Sequence, residues 1–225
     1  MASLTGTKVS DTYQQLLKLT SQGVGVDTSG KYVEDGLGTS TALSLSTTRV
    51  GIGTTTFRNN LFNTTLGSAL QIEGTTAQGG SMMITRNTGA SAGDLPFIAL
   101  CKSRGSSLNS NTIIADNDEI GSLSFQGNDG AQFVEASSIR GKVGGTPGSN
   151  DMPGELLFYT TADGATSGTE RMRIESSGNV TINETGADAD FRVETTGNTH
   201  GFHIDAGDCV VNINSPLSSD TQNTP

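Results

Sequence analysis

Apolar residues recur at every second position along most of this chain, in short runs separated by Gly, Asp, Asn and Ser. Leu43 and Leu45 share one parity, and so do Val50 with Ile52 and Leu70 with Ile72. Period-two alternation in turn-bounded segments predicts half-buried β-strands. The pattern is densest over residues 94–175, with predicted strands at 96–102, 119–126, 131–143, 154–161 and 169–175. Leu156 and Phe158 fall on one face of their strand, with Leu157 and Tyr159 on the other. Met172 and Ile174 oppose Arg171, Arg173 and Glu175, and Val180 and Ile182 restart the alternation after Ser176-Ser177-Gly178. Gly127-Asn128-Asp129-Gly130 predicts a tight hairpin turn, while Gly144 to Pro153 reads as a Pro-containing loop. A compact β knob or sandwich is expected from this region.

A helical period appears only near the start. Tyr13, Leu16 and Leu17 stand at i, i+3 and i+4, with Ser10 placed to cap and Asp11 at the positive end of the helix dipole. A helix of about ten residues is unstable alone. It must pack either on its own chain or on something else.

Short motifs also repeat. Leu70-Gln71-Ile72-Glu73 returns as Phe191-Arg192-Val193-Glu194. Val50-Gly51-Ile52-Gly53 returns as Val180-Thr181-Ile182-Asn183 and as Val211-Asn212-Ile213-Asn214. An apolar pair follows each copy of the first motif, Met82 with Ile84 and Phe202 with Ile204. One strand-rich unit therefore recurs on either side of the central region, at spacings too unequal for a regular solenoid.

Composition changes the picture in one respect. Only 32% of residues are hydrophobic, 5% are aromatic, none is Trp, and Gly occurs 30 times among 225 residues. One chain has little with which to build a round core. A fold that buries little within a chain and more between chains fits better, because small residues allow close approach near an axis. The net charge of −10 argues against nucleic-acid binding, which needs a basic face against phosphate, and disfavours an anionic membrane surface. No apolar run reaches the ~20 residues of a membrane span, and the first residues have no hydrophobic signal region.

The segment GELLFYTTADGATSGTERMRIESSGNVTI, from Gly154 to Ile182, closely resembles a module of bacteriophage tail-fibre and related virion-fibre proteins. Its signature is Glu170-Arg171-Met172-Arg173-Ile174 followed by Ser177-Gly178-Asn179-Val180. The stretches Glu119 to Val143 and Gly145 to Leu156 resemble the same module, and Gly6 to Leu19 with Val33 to Thr54 resemble the start of such fibres. The resemblance implies a mainly β, elongated, intertwined homotrimeric fibre with a short N-terminal helix and a central β-rich knob or sandwich module.

It implies the following organisation: residues 1–30 as a virion-attachment segment, 31–93 as β shaft, 94–175 as the central module, 176–214 as a second shaft repeat and 215–225 as a polar tail. Tyr13, Leu16 and Leu17 are the attachment candidates. The expected trimer core is Leu43, Leu45, Val50, Ile52, Leu70, Ile72, Leu156, Phe158, Met172, Ile174, Val180, Ile182, Phe191 and Val193. The implied partners are two further copies of the chain, other virion proteins, and a host receptor or a further fibre protein. The implied location is the virion, assembled in the bacterial cytoplasm. A tail fibre assisting adsorption, a head, collar or adaptor fibre, and a polysaccharide depolymerase all stay open.

Candidate chemistry is sparse. His200 and His203 are close enough in sequence to share a metal, but His203 alternates away from Phe202 and Ile204 and is expected to face outward. Asp116, Asp118 and Glu119 lack the pattern of a calcium loop and read as a solvated turn. Asp188 and Asp190 flank a strand start and read the same way. Cys101 and Cys209 fit no metal spacing; a buried thiol is expected at Cys101, and a disulfide between them stays open. No activated nucleophile or phosphate-binding Gly motif is present. The expectation is a non-enzymatic protein with no cofactor and no metal.

Overall fold

A computed structural model describes residues 17–20, 26–35, 37–87, 93, 95–183, 189–195, 198–208 and 210–213. Every regular element among these is a β-strand, and the sheets are open rather than closed into barrels. The predicted helix up to residue 16, with Tyr13 and Leu16, lies outside the described residues, as do Cys209 and the polar tail. Leu17 is exposed, and Lys18 and Leu19, at the end of the expected helical stripe, form a strand instead.

The chain divides into two compact units, residues 1–98 with 128–134, and residues 99–127 with 135–225. The first unit holds a five-stranded sheet of β1 (Lys18–Leu19), β2 (Lys31–Glu34), β3 (Ser40–Leu45), β4 (Val50–Ile52) and β5 (Leu70–Ile72) in sequence order. The pairings are antiparallel up to β4, and β5 then joins β4 in parallel. Parallel pairing needs a crossover, and residues 53–69 supply it.

Apart from Asn128, Phe133 and Val134, the second unit holds a five-stranded meander of β6 (Glu119–Asn128), β7 (Phe133–Val143), β8 (Gly154–Thr160), β9 (Thr169–Ile174) and β10 (Val180–Ile182). Each strand lies beside its sequence neighbour, so the central region is one open sheet and not a sandwich. The β6–β7 turn follows the expected chemistry. Gly130 takes φ +104°, and Asp129 Oδ1 accepts N–H bonds from Ala131 and Gln132, both 2.8 Å. Gly178, at φ +88°, closes the β9–β10 turn. A three-stranded antiparallel sheet follows, from β11 (Phe191–Thr195), β12 (Asn198–Asp205) and β13 (Val210–Ile213).

The predicted strand at 96–102 does not form. Residues 95–105 have no regular pairing, and Phe97 stays 77% exposed. Its alternation suits a strand, but among the described residues no sheet edge pairs with it. Cys101, expected to be buried at the end of that run, is exposed as a consequence.

Candidate functional site

The strand registers collect the alternating apolar residues into rows. In the first sheet Leu45, Val50 and Leu70 stand opposite one another, and so do Leu43, Ile52 and Ile72. In the central sheet Ile139, Phe158, Met172 and Ile182 form one row, and Gly141, Leu156, Ile174 and Val180 form the next. In the last sheet the rows are Phe191, Ile204, Val211 and Val193, Phe202, Ile213. Phe191 and Phe202 meet edge to face at 6.0 Å. All fourteen residues expected in a trimer core therefore lie in these rows.

Within one chain these faces stay open. Leu70 is 52% exposed, Val180 55%, Ile182 45% and Val211 57%. Cross-strand contacts shield Met172 and Ile174 only in part. Among the described residues each sheet thus leaves an apolar face largely without a covering layer, where a globular domain packs a second layer.

The other faces are the covered ones. In the first sheet Ser44 and Gly51 pair and are both buried, and Ser44 Oγ donates to the Thr54 carbonyl at 2.5 Å. In the central sheet Leu157 is 2% exposed between its cross-strand partners Arg140 and Arg173, while Val143, fully buried at the end of β7, shares the parity of Ile139 and Gly141. The aliphatic stems of arginines can cover such a residue while their charged heads reach partners. Arg140 Nη2 lies 2.6 Å from Glu135 Oε1 and Nη1 lies 3.1 Å from Glu119 Oε1, and the guanidinium stacks 4.4 Å from the Tyr159 ring centroid. A bulge at Arg171 puts Glu170 rather than Arg171 opposite Tyr159. Glu170 thereby joins the face of Arg173 and pairs with it at 2.8 and 3.0 Å. Sequence reasoning missed Leu157; the arginines at its two partner positions were the available signal.

Burial pushes the Glu135 carboxyl up, but hydrogen bonds from Ser124 and Arg140 and the charge of Arg140 hold it below its ordinary range. Hydrogen bonds from Lys31 and Ser29 likewise lower Asp27 to about 2. A carboxyl lowered by folding stabilises the fold above its unfolded pKa, and that stabilisation disappears as pH falls through the folded value. Thermal melts should therefore show a declining midpoint as pH drops below about 4. Glu135→Gln should make that acid decline shallower, and an unchanged slope would remove Glu135 from it.

The acidic turn is engaged rather than solvated. Asp118 accepts from Arg104 Nε at 2.7 Å, Lys102 Nζ at 3.0 Å and the Ala115 N–H at 2.9 Å, which hold its carboxyl well below the usual range. Asp116 accepts the Gly145 N–H at 2.9 Å. In the first unit a groove of about 730 Å3 is lined mainly by Thr54, Thr75, Thr76, Gln78 and neighbouring glycines. Its one carboxylate, Glu73, is tied to Arg58, whose hydrogen bonds lower its pKa. A glycosidic general acid needs the opposite shift.

His203 departs from expectation. It is 2% exposed, and the register sets it opposite Arg192 on one side and Asn212 on the other. Its Nε2 lies 3.0 Å from Asp190 Oδ2, and this hydrogen bond lowers the Asp190 carboxyl.

No protein-family model and no curated protein matches this sequence. Solved structures do match the fold. The carboxy-terminal domain of the bacteriophage T5 L-shaped tail fibre superposes with a TM-score of 0.52 at 14% identity, covering 91% of this chain and 78% of that one. The same domain with its intra-molecular chaperone domain gives 0.54 at 13% identity, covering 92% of this chain and 57% of that one. The chain has a tail-fibre-like fold. At such identities the likeness concerns the fold alone.

Proposed function

We propose that this chain is a structural fibre protein of a bacteriophage virion, assembled as an elongated homotrimer and serving as a tail fibre in host adsorption. One observation carries the reading: three sheets each order their apolar residues into rows on a face that stays largely open, while Ser44, Leu157 and His203 are buried on the opposite faces. Such faces need a covering layer, and two further copies of the same chain supply it with closed symmetry and shielded strand edges. The tail-fibre-like fold supports the virion assignment, and the Glu170 to Val180 signature supports it from the sequence. The function is mechanical. The N-terminal segment anchors the fibre to other virion proteins, the strand units form the shaft, and no catalytic step is involved.

The test is the mass and shape of the purified protein by light scattering with sedimentation. Three times the 23.2 kDa chain mass, with a strongly elongated frictional ratio, is the expected result. A compact monomer at micromolar concentration would overturn the reading, because the apolar faces would then have to close within one chain.

A further inference from the structure

The register of β11 and β12 places Phe191 opposite Ile204 and Arg192 opposite His203. One step beyond the ladder, Asp190 therefore faces Asp205. Like charges directly opposite across an antiparallel pair are destabilising unless something neutralises them. Arg192 acts on Asp190 from the same face and offsets part of this charge. Alternation along β12 puts the buried His203 on the face of Asp205. One donor atom each from Asp190, His203 and Asp205 lies within 4.8 Å of the others.

Backbone groups hold both carboxylates from behind. The Ala206 N–H donates to Asp190 Oδ1 at 3.2 Å, and the Asp208 N–H donates to Asp205 Oδ1 at 2.9 Å. Each aspartate keeps its second oxygen for the cluster. Backbone-anchored carboxylates beside a buried imidazole match the outer-sphere support that orients metal ligands.

We propose that Asp190, His203 and Asp205 bind a divalent transition-metal ion of the Zn2+ class. The imidazole supplies one nitrogen and the aspartates two oxygens. This mixed set suits Zn2+, Co2+ or Mn2+, whereas Ca2+ and Mg2+ prefer all-oxygen shells. Three protein ligands leave water to complete the coordination. Asp190 is exposed, which gives the ion a route in from solvent. The bound ion would clamp the end of the β11–β12 ladder, where the two strands otherwise present opposed carboxylates.

The test uses the full chain without an added histidine tag, stripped with a chelator and titrated with Zn2+ by calorimetry. Saturable binding at a single site per chain is expected, with no comparable heat from Mg2+ or Ca2+. Asp205→Asn, a near-isosteric change at a strand end, should weaken binding by about tenfold or more. Zn2+ should also raise the thermal midpoint of the native chain but not of Asp205→Asn. Asp190→Asn, at an exposed position, is the second variant should Asp205→Asn fail to fold by circular dichroism. Absence of saturable Zn2+ binding, full affinity in the folded aspartate variants, or binding lost with His200→Asn but kept in His203→Asn would each overturn the assignment. None of these outcomes bears on the fibre assembly, which light scattering reads separately.

Discussion

Ile182→Asp should abolish the proposed assembly and leave a folded single chain. Ile182 ends the row Ile139, Phe158, Met172, Ile182 and is 45% exposed in the isolated chain. A carboxylate there remains solvated as long as the chain is alone, so the loss is limited to a cross-strand contact of about 1 kcal/mol. In a trimer the same face is covered, and each uncompensated buried charge costs about 3–5 kcal/mol. Symmetry places one such charge on every chain. Light scattering should fall from the trimer mass to the chain mass, with the far-ultraviolet spectrum unchanged. The control is Thr181→Asp, next in sequence but on the opposite face beside Arg173. It should leave assembly intact. Soluble Ile182→Asp trimers of the native mass would show that this face is not the one buried between chains.

Leu157→Ala has the second large effect, on the chain itself. Among the described residues the buried apolar side chains are Ile114, Val143 and Leu157, and Leu157 is the largest of those that are fully buried. Truncating a fully buried leucine costs about 2–5 kcal/mol in lost burial and residual cavity. With so small a core, few neighbours can collapse into the gap. Chemical denaturation should show a lower midpoint at an unchanged slope. Leu156→Ala, one residue away and on the open face, should change the stability of the single chain far less and weaken assembly instead. Equal losses of chain stability at positions 156 and 157 would contradict the division of the two faces.

These two neighbours also show how much could be read from the sequence. Four of the five predicted central strands form within a few residues of their expected bounds, because turn residues and period-two alternation are local properties. The fifth, 96–102, had the alternation but finds no partner edge, and pairing is not local. Alternation also separates Leu156 and Phe158 from Leu157 without saying which face is covered. The bulge at Arg171, which gathers Glu170 and Arg173 over the Leu157 face, has no signature in the alternation. The same limit applies to His203. Its parity with Asp205 is plain in the sequence, but its burial and its approach to Asp190 depend on the register between β11 and β12.

The sequence by itself determined the β character, the turns, the low content of core-forming residues and which apolar residues share one face of each strand. Those follow from residue type and spacing along one strand, where each side chain answers only to its neighbours in the chain. The tertiary structure alone decided which face of each sheet is covered, which strand goes unpaired and which distant carboxylates meet. Those depend on register, and a shift of a single residue exchanges one face of a strand for the other.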